Sequence, residues 1–167
     1  MFSYYQLTVP VYTRALTQLA HLLDKAADFA LSKKVSDETM LGLRLAPDML
    51  PLVKQIQIAC DTAKFGVARL SGNTAPKHDD SEKTLAELKN RIAATLEFIN
   101  SIPPDDFAQA DSKIITLSYM PDKPMKADFY LQSFVAPNLY FHLTTAYALL
   151  RSNGVELGKN DYLGPIG

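Results

Sequence analysis

Apolar residues recur at intervals of three and four over most of the chain, which is the spacing that puts them on one face of a helix. Tyr12, Leu16, Leu19, Leu23, Ala26 and Ala30 form such a stripe and predict a helix from about Pro10 to Ser32, with Thr8 as its N-cap. A short turn follows at Ser36–Thr39, then a bent connection through Arg44–Pro47. Leu52, Ile56, Ala59, Ala63, Val67 and Leu70 define a second long helix, with Asp48 as the expected N-cap and Ser71-Gly72 as the stop. At about 100° per residue, Ile58 and Phe65 fall nearly opposite that stripe, so this helix has apolar groups on two sides. Residues 73–80 read as a surface loop. Leu85, Leu88, Ile92, Thr95 or Leu96, and Ile99 then predict a third helix opening at Ser81, with Glu82, Lys83, Glu87, Lys89 and Arg91 kept off its seam.

The period changes near Ile114. Ile115, Leu117 and Tyr119 alternate with polar neighbours and Pro121–Pro124 carries turn residues, so a β-hairpin is expected between Asp111 and Phe129. Tyr130–Asn153 is the fourth long helix, bent or broken near Pro137, with Leu139, Leu143, Ala146 and Leu150 on its core face. The tail from Val155, including Tyr162, Leu163 and Ile166, is apolar enough to wrap back over the bundle. Four amphipathic helices with one hairpin inserted before the last of them give an all-α four-helix bundle, because each stripe needs neighbours to cover it. The expected organisation is one domain, residues 1–167.

Charge narrows the choice of partners. Seventeen basic side chains stand against 18 acidic ones, a net charge of −1, and no basic stripe is clustered. Neither nucleic acid nor an anionic membrane surface is therefore favoured. The most apolar stretch, residues 133–150, is broken by Pro137, Asn138 and His142 and is too polar to span a bilayer. The N-terminus lacks the pattern of an export signal, and the single cysteine, Cys60, allows no intramolecular disulfide. A cytoplasmic location is expected.

His142 is the sharpest chemical feature. Asn138, His142 and Thr145 are spaced i, i+4, i+7, so their polar ends share one side of the last helix. Gln57 and Asp61 on the second helix have the same four-residue spacing. These five residues are the candidate site, with His142 and Asp61 as proton-handling groups and Asn138, Gln57 and Thr145 as binding groups. The alternative for His142 is a core-edge histidine bonded to a neighbour, and for Asp61 a solvated carboxylate. Cys60 reads as a small buried hydrophobe. His21 lies opposite the first helix's stripe, His78 lies in the charged loop, and no phosphate-loop, dinucleotide, serine-hydrolase or H-E-x-x-H pattern is present.

Several segments carry a family likeness. Arg44-Leu45-Ala46-Pro47-Asp48-Met49, Gln57-Ile58-Ala59-Cys60-Asp61-Thr62-Ala63-Lys64, Phe141-His142-Leu143-Thr144-Thr145-Ala146-Tyr147, and Asn153-Gly154 through Gly164 resemble an uncharacterised bacterial domain-of-unknown-function family of the DinB/YfiT-like superfamily. The likeness implies a four-helix bundle, often dimeric. Many members hold a divalent metal through three histidines, one on the second helix and an H-x-x-x-H pair on the last; some are metal-dependent transferases and others hydrolases. His142 matches the second histidine of the pair, Asn138 stands in place of the first, and Gln57, with Asp61 one turn later, matches the position on the second helix. Neutral amides are poor ligands for zinc or nickel, and catalytic zinc normally needs three strong protein ligands. The expectation is a protein without a metal cofactor: a homodimeric binding or scaffold protein, with Ile58 and Phe65 in the dimer contact and a small polar ligand near His142. The alternative is a transferase or hydrolase with a modified metal-type site, for zinc or nickel, around His142.

Overall fold

The computed structural model describes residues 2–165. Helix α1 spans Tyr4–Lys33, six residues longer at its start than the apolar stripe predicts. Its N-cap is Ser3, not Thr8: the Ser3 hydroxyl accepts from the Gln6 N–H, and the Gln6 side chain accepts from the Ser3 N–H. Thr8 is buried inside the helix and returns its hydroxyl to the Tyr4 carbonyl at 2.6 Å. Pro10 is accommodated because it and Gln6, whose carbonyl loses its helical donor, both face water. A short helix, α2 (Asp37–Leu41), is capped by Ser36.

Helix α3 (Leu52–Ser71) starts after Pro51, not at Asp48, and stops at Gly72, whose φ of 90° is the left-handed conformation of a helix end. Helix α4 (Leu85–Asn100) is opened by a capping box between Thr84 and Glu87, four residues into the stretch that Ser81 was expected to begin. Strands β1 (Ile114–Leu117) and β2 (Met120–Lys126) pair antiparallel, Ile115 opposite Met125 and Leu117 opposite Met120. The hairpin therefore turns at Ser118-Tyr119. Pro121 and Pro124 lie within β2, where a two-stranded sheet leaves edge positions that need no N–H.

The last long helix begins as a single turn, α5 (Ala127–Phe129), widens to a π-helical segment over Tyr130–Val135, and continues as α6 (Ala136–Ser152) with Pro137 in its first turn. A proline has no N–H and its ring crowds the preceding turn, so the bend expected here takes the form of local widening. Helix α7 (Lys159–Leu163) folds back onto α1, where Arg14 donates to the Leu163 and Pro165 carbonyls and Asp161 meets His21 and Lys25. The tail thus wraps the bundle, although Ile166 lies outside the described residues.

Helices α1, α3, α4 and α6 surround one continuous apolar cluster, and every residue of the predicted stripes on α1, α3 and α6 is buried. Helix α3 is central, packing on α6, α4 and α1. Where α3 passes the π segment and α1, Gly66 lies against Val135 and Tyr12 with no room for a side chain. Among the described residues, no helix is long and apolar enough to cross a membrane.

Candidate functional site

Successive residues on α3 point to different neighbours, and this separates the residues that the sequence groups together. His142 is buried at the α3–α6 contact, with Nδ1 2.7 Å from Gln55 Oε1. The Gln55 amide nitrogen donates to the Leu50 carbonyl at 2.9 Å, so Oε1 is the accepting atom and His142 carries its proton on Nδ1. Burial, with no compensating charge, lowers the imidazole's affinity for a second proton. Asn138 donates from Nδ2 to Thr62 Oγ1 at 2.7 Å, and Thr145 returns its hydroxyl to the Phe141 carbonyl. Gln55 and Thr62 are seven residues apart on α3, and it is these two, rather than Gln57, that meet the last helix.

Gln57 and Asp61 face α4. Gln57 is buried and donates from Nε2 to Glu82 Oε2 at 2.7 Å. Asp61 Oδ1 accepts from Arg91 Nη2 at 2.9 Å and lies 3.0 Å from Lys64 Nζ. Asp61 is thus partnered by cations, not by His142, and His78 Nδ1 lies 3.9 Å from the same oxygen.

Arg91 is the correction with the largest consequence. Expected on the solvated side of its helix, it is 4% exposed and sits at the centre of an ionic cluster. Besides Asp61, it donates to Asp80 Oδ1 at 2.7 Å and Glu82 Oε1 at 3.0 Å. Asp80 also meets Lys54 at 3.1 Å. Lys64, only 1% exposed, donates to His78 Nδ1 at 3.2 Å, so His78 carries its proton on Nε2. The connection read as a surface loop is therefore pinned at His78, Asp80 and Glu82, although Lys77 and Asp79 remain outside. Burial and the nearby charges of Lys64 and Arg91 hold His78 below the usual histidine range, against the attraction of Asp61 and Glu82. Burial works to raise Glu82 and to lower Arg91, but hydrogen bonds from Arg91, Gln57 and the backbone bring Glu82 down, and Glu82, Asp61 and Asp80 together push Arg91 up. Two buried atoms in the cluster, Gln57 Oε1 and Arg91 Nε, have no hydrogen-bond partner. The signal available in the sequence was position: Arg91 is flanked at i−3 and i+4 by Leu88 and Thr95, both on the seam.

Cys60 is fully buried beside this cluster, and burial pushes its thiol up to about 12, so it has no thiolate character near neutral pH.

An open cleft of ≈ 340 Å³ runs along the outer side of α3 to the hairpin tip and the π segment. Asp61, Thr62 and Asn138 line it together with Ile58, Phe65 and Arg69. Arg69 donates to Tyr130 Oη at 2.9 Å, with its guanidinium carbon 4.9 Å from the Phe65 ring centre. Tyr130 and Phe134 stack at 5.8 Å and 16°. A larger hollow of ≈ 700 Å³ between α1 and α7 includes His21 and Asp161, but these are committed to docking the tail. The cleft along α3 brings together three polar residues of interest, Asp61, Thr62 and Asn138.

A divalent ion does not fit the donor set. Asn138, His142 and Gln57 are one imidazole and two neutral amides, each engaged with a different protein partner. Among the described residues, no three His, Cys, Asp or Glu side chains converge in a way that would hold a metal.

Comparison with known proteins agrees with this architecture. No curated protein matches the chain. The crystal structure of a DinB family member protein from Shewanella denitrificans superposes with a TM-score of 0.92 at 49% identity, covering 97% of this chain and 92% of that one. The sequence profile of the domain of unknown function DUF1993 matches residues 4–163. With the helical bundle, the inserted hairpin and a family match over nearly its whole length, this chain belongs to the DUF1993 family and has a DinB-like fold.

Proposed function

We propose that the protein is a metal-free, cytoplasmic homodimer that binds a small molecule in the cleft along α3. One observation carries this reading. The residues at the positions where a metal would be held are each bonded to a different protein partner instead of converging on one point, while Asn138 and Asp61 line an open cleft of ≈ 340 Å³, within the size range of small-ligand sites. His142 then acts as a buried strut between α6 and Gln55. A second copy of the chain packed on Ile58, Phe65 and the exposed Phe141 would close the cleft's outer side.

Untagged protein, analysed for metal and titrated calorimetrically with zinc, nickel and manganese, is expected to contain and bind no stoichiometric ion. A stoichiometric ion that is lost in His142→Ala would overturn the reading. Light scattering at high micromolar concentration is expected to give twice the mass of the chain, and a monomer would remove the dimer.

A further inference from the structure

We propose, building on the reading of the α3 cleft as a ligand site, that its ligands are small aromatic carboxylates. Arg69 supplies the anion contact. It spends one N–H on Tyr130 Oη, and its other guanidinium hydrogens have no protein acceptor among the described residues. Cation–π contacts with Phe65, 4.9 Å away, and Tyr130, 5.9 Å away, anchor the guanidinium, and its remaining N–H groups form a fork suited to a carboxylate. The carboxylate at the other end of the cleft does not repel such a ligand strongly, because Asp61 Oδ1 is already bonded to Arg91 and Lys64.

The body of the ligand is specified by the walls. Phe65, Tyr119 and Phe134 line the space beyond Arg69, and rings prefer offset or edge contact with other rings. Asn138 donates through Nδ2 to Thr62, so its Oδ1 is left to accept from a hydroxyl or N–H on the far side of the ligand ring. Asp61 and Arg69 are eight residues apart on one helix, about 12 Å along its axis, which is enough for one ring system with an acid side chain.

The test is titration of the full chain, followed by NMR shifts and calorimetry, with indole-3-acetate and 4-hydroxyphenylacetate and with the amide of each. The acids are expected to bind with shifts at Phe65, Tyr119 and Phe134, and the amides to bind roughly tenfold or more weakly, the equivalent of a charge-assisted hydrogen-bond pair. In Arg69→Gln the acid and its amide are expected to bind alike, and Arg69→Lys should restore part of the preference. The acid-to-amide ratio is the readout because partial unfolding lowers both affinities equally. Equal binding of acid and amide to the wild type, an unchanged ratio in Arg69→Gln, or no binding of either acid at millimolar concentration overturns the assignment. A non-aromatic or uncharged metabolite from an unbiased screen that shifts the same cleft residues also overturns it, but leaves the small-molecule reading standing. Ligands whose shifts all map elsewhere remove both.

Discussion

Replacing Arg91 with leucine removes the centre of the cluster that ties residues 78–82 to α3 and α4. Taking away one member of a buried ion pair costs about 3–5 kcal/mol, because the remaining charge is left without its partner. Here the carboxylates are not equally exposed to that loss. Asp61 keeps Lys64 and Asp80 keeps Lys54, and their side chains are 34% and 42% exposed, so water screens what is left. Glu82 is 13% exposed and retains no cation, only the neutral Gln57 amide and its own backbone N–H. One stranded carboxylate places the expected loss at the lower end, about 3 kcal/mol. At roughly 2–4 °C per kcal/mol for a chain of this size, the midpoint should fall by about 6–12 °C. Urea unfolding at neutral pH measures the loss, and calorimetry measures the shift. Adding Glu82→Gln to Arg91→Leu removes the stranded charge and should recover at least about 1 kcal/mol. A loss in Arg91→Leu below about 1 kcal/mol, the value of an exposed pair, would refute the argument, as would a double variant no more stable than the single.

Two further outcomes follow from the same packing. His78 and His142 both have lowered proton affinity in the folded chain, so the unfolded chain binds more protons below the ordinary histidine value of about 6.5. Stability should be full above that pH and decline as pH falls through the lowered native values; His78→Gln, which still offers Lys64 an acceptor, should flatten part of the decline in urea midpoints, and an unchanged slope would count against the buried-loop account. Gly66→Ala ought to gain about 1 kcal/mol of helix propensity, but its new Cβ would lie 2.6 Å from Val135 Cγ1. A net loss of about 1–3 kcal/mol in thermal unfolding, partly restored by Val135→Ala, is expected, and a stabilised Gly66→Ala would show that the helices can separate there freely.

Helix positions were legible in the sequence because the stripes on α1, α3 and α6 reflect burial directly, from Tyr12 to Leu150. Helix starts were less so. Ser3, Pro51 and Thr84 won over Thr8, Asp48 and Ser81 because capping depends on where the preceding chain can turn, and several residues of suitable type stood near each start. The hairpin was found but its turn misplaced, since Pro121–Pro124 has turn chemistry that an edge strand also tolerates. Within the site, periodicity placed Asn138 and His142 on one side of α6 correctly. It gave no means of choosing between Gln55 and Gln57 as their partner, because that depends on the rotation of α3. The ionic cluster was missed for a different reason: a charged residue beside a seam is normally solvated, and only the return of residues 78–82 over α3 closes the space around Arg91.

The π segment at Tyr130–Val135 holds one residue more than an α-helical stretch that covers the same rotation. The surplus is absorbed locally, so α5 upstream and α6 downstream keep their faces toward the bundle, and Ala127, Leu139, Leu143 and Ala146 are all buried. Deleting one residue within the segment would restore ordinary winding without turning either end, and would change only which of Tyr130, Phe134 and Val135 reaches the cleft. A change of one residue in length can therefore reshape one wall of the cleft without disturbing the bundle, which gives relatives of this fold a local way to alter what they admit.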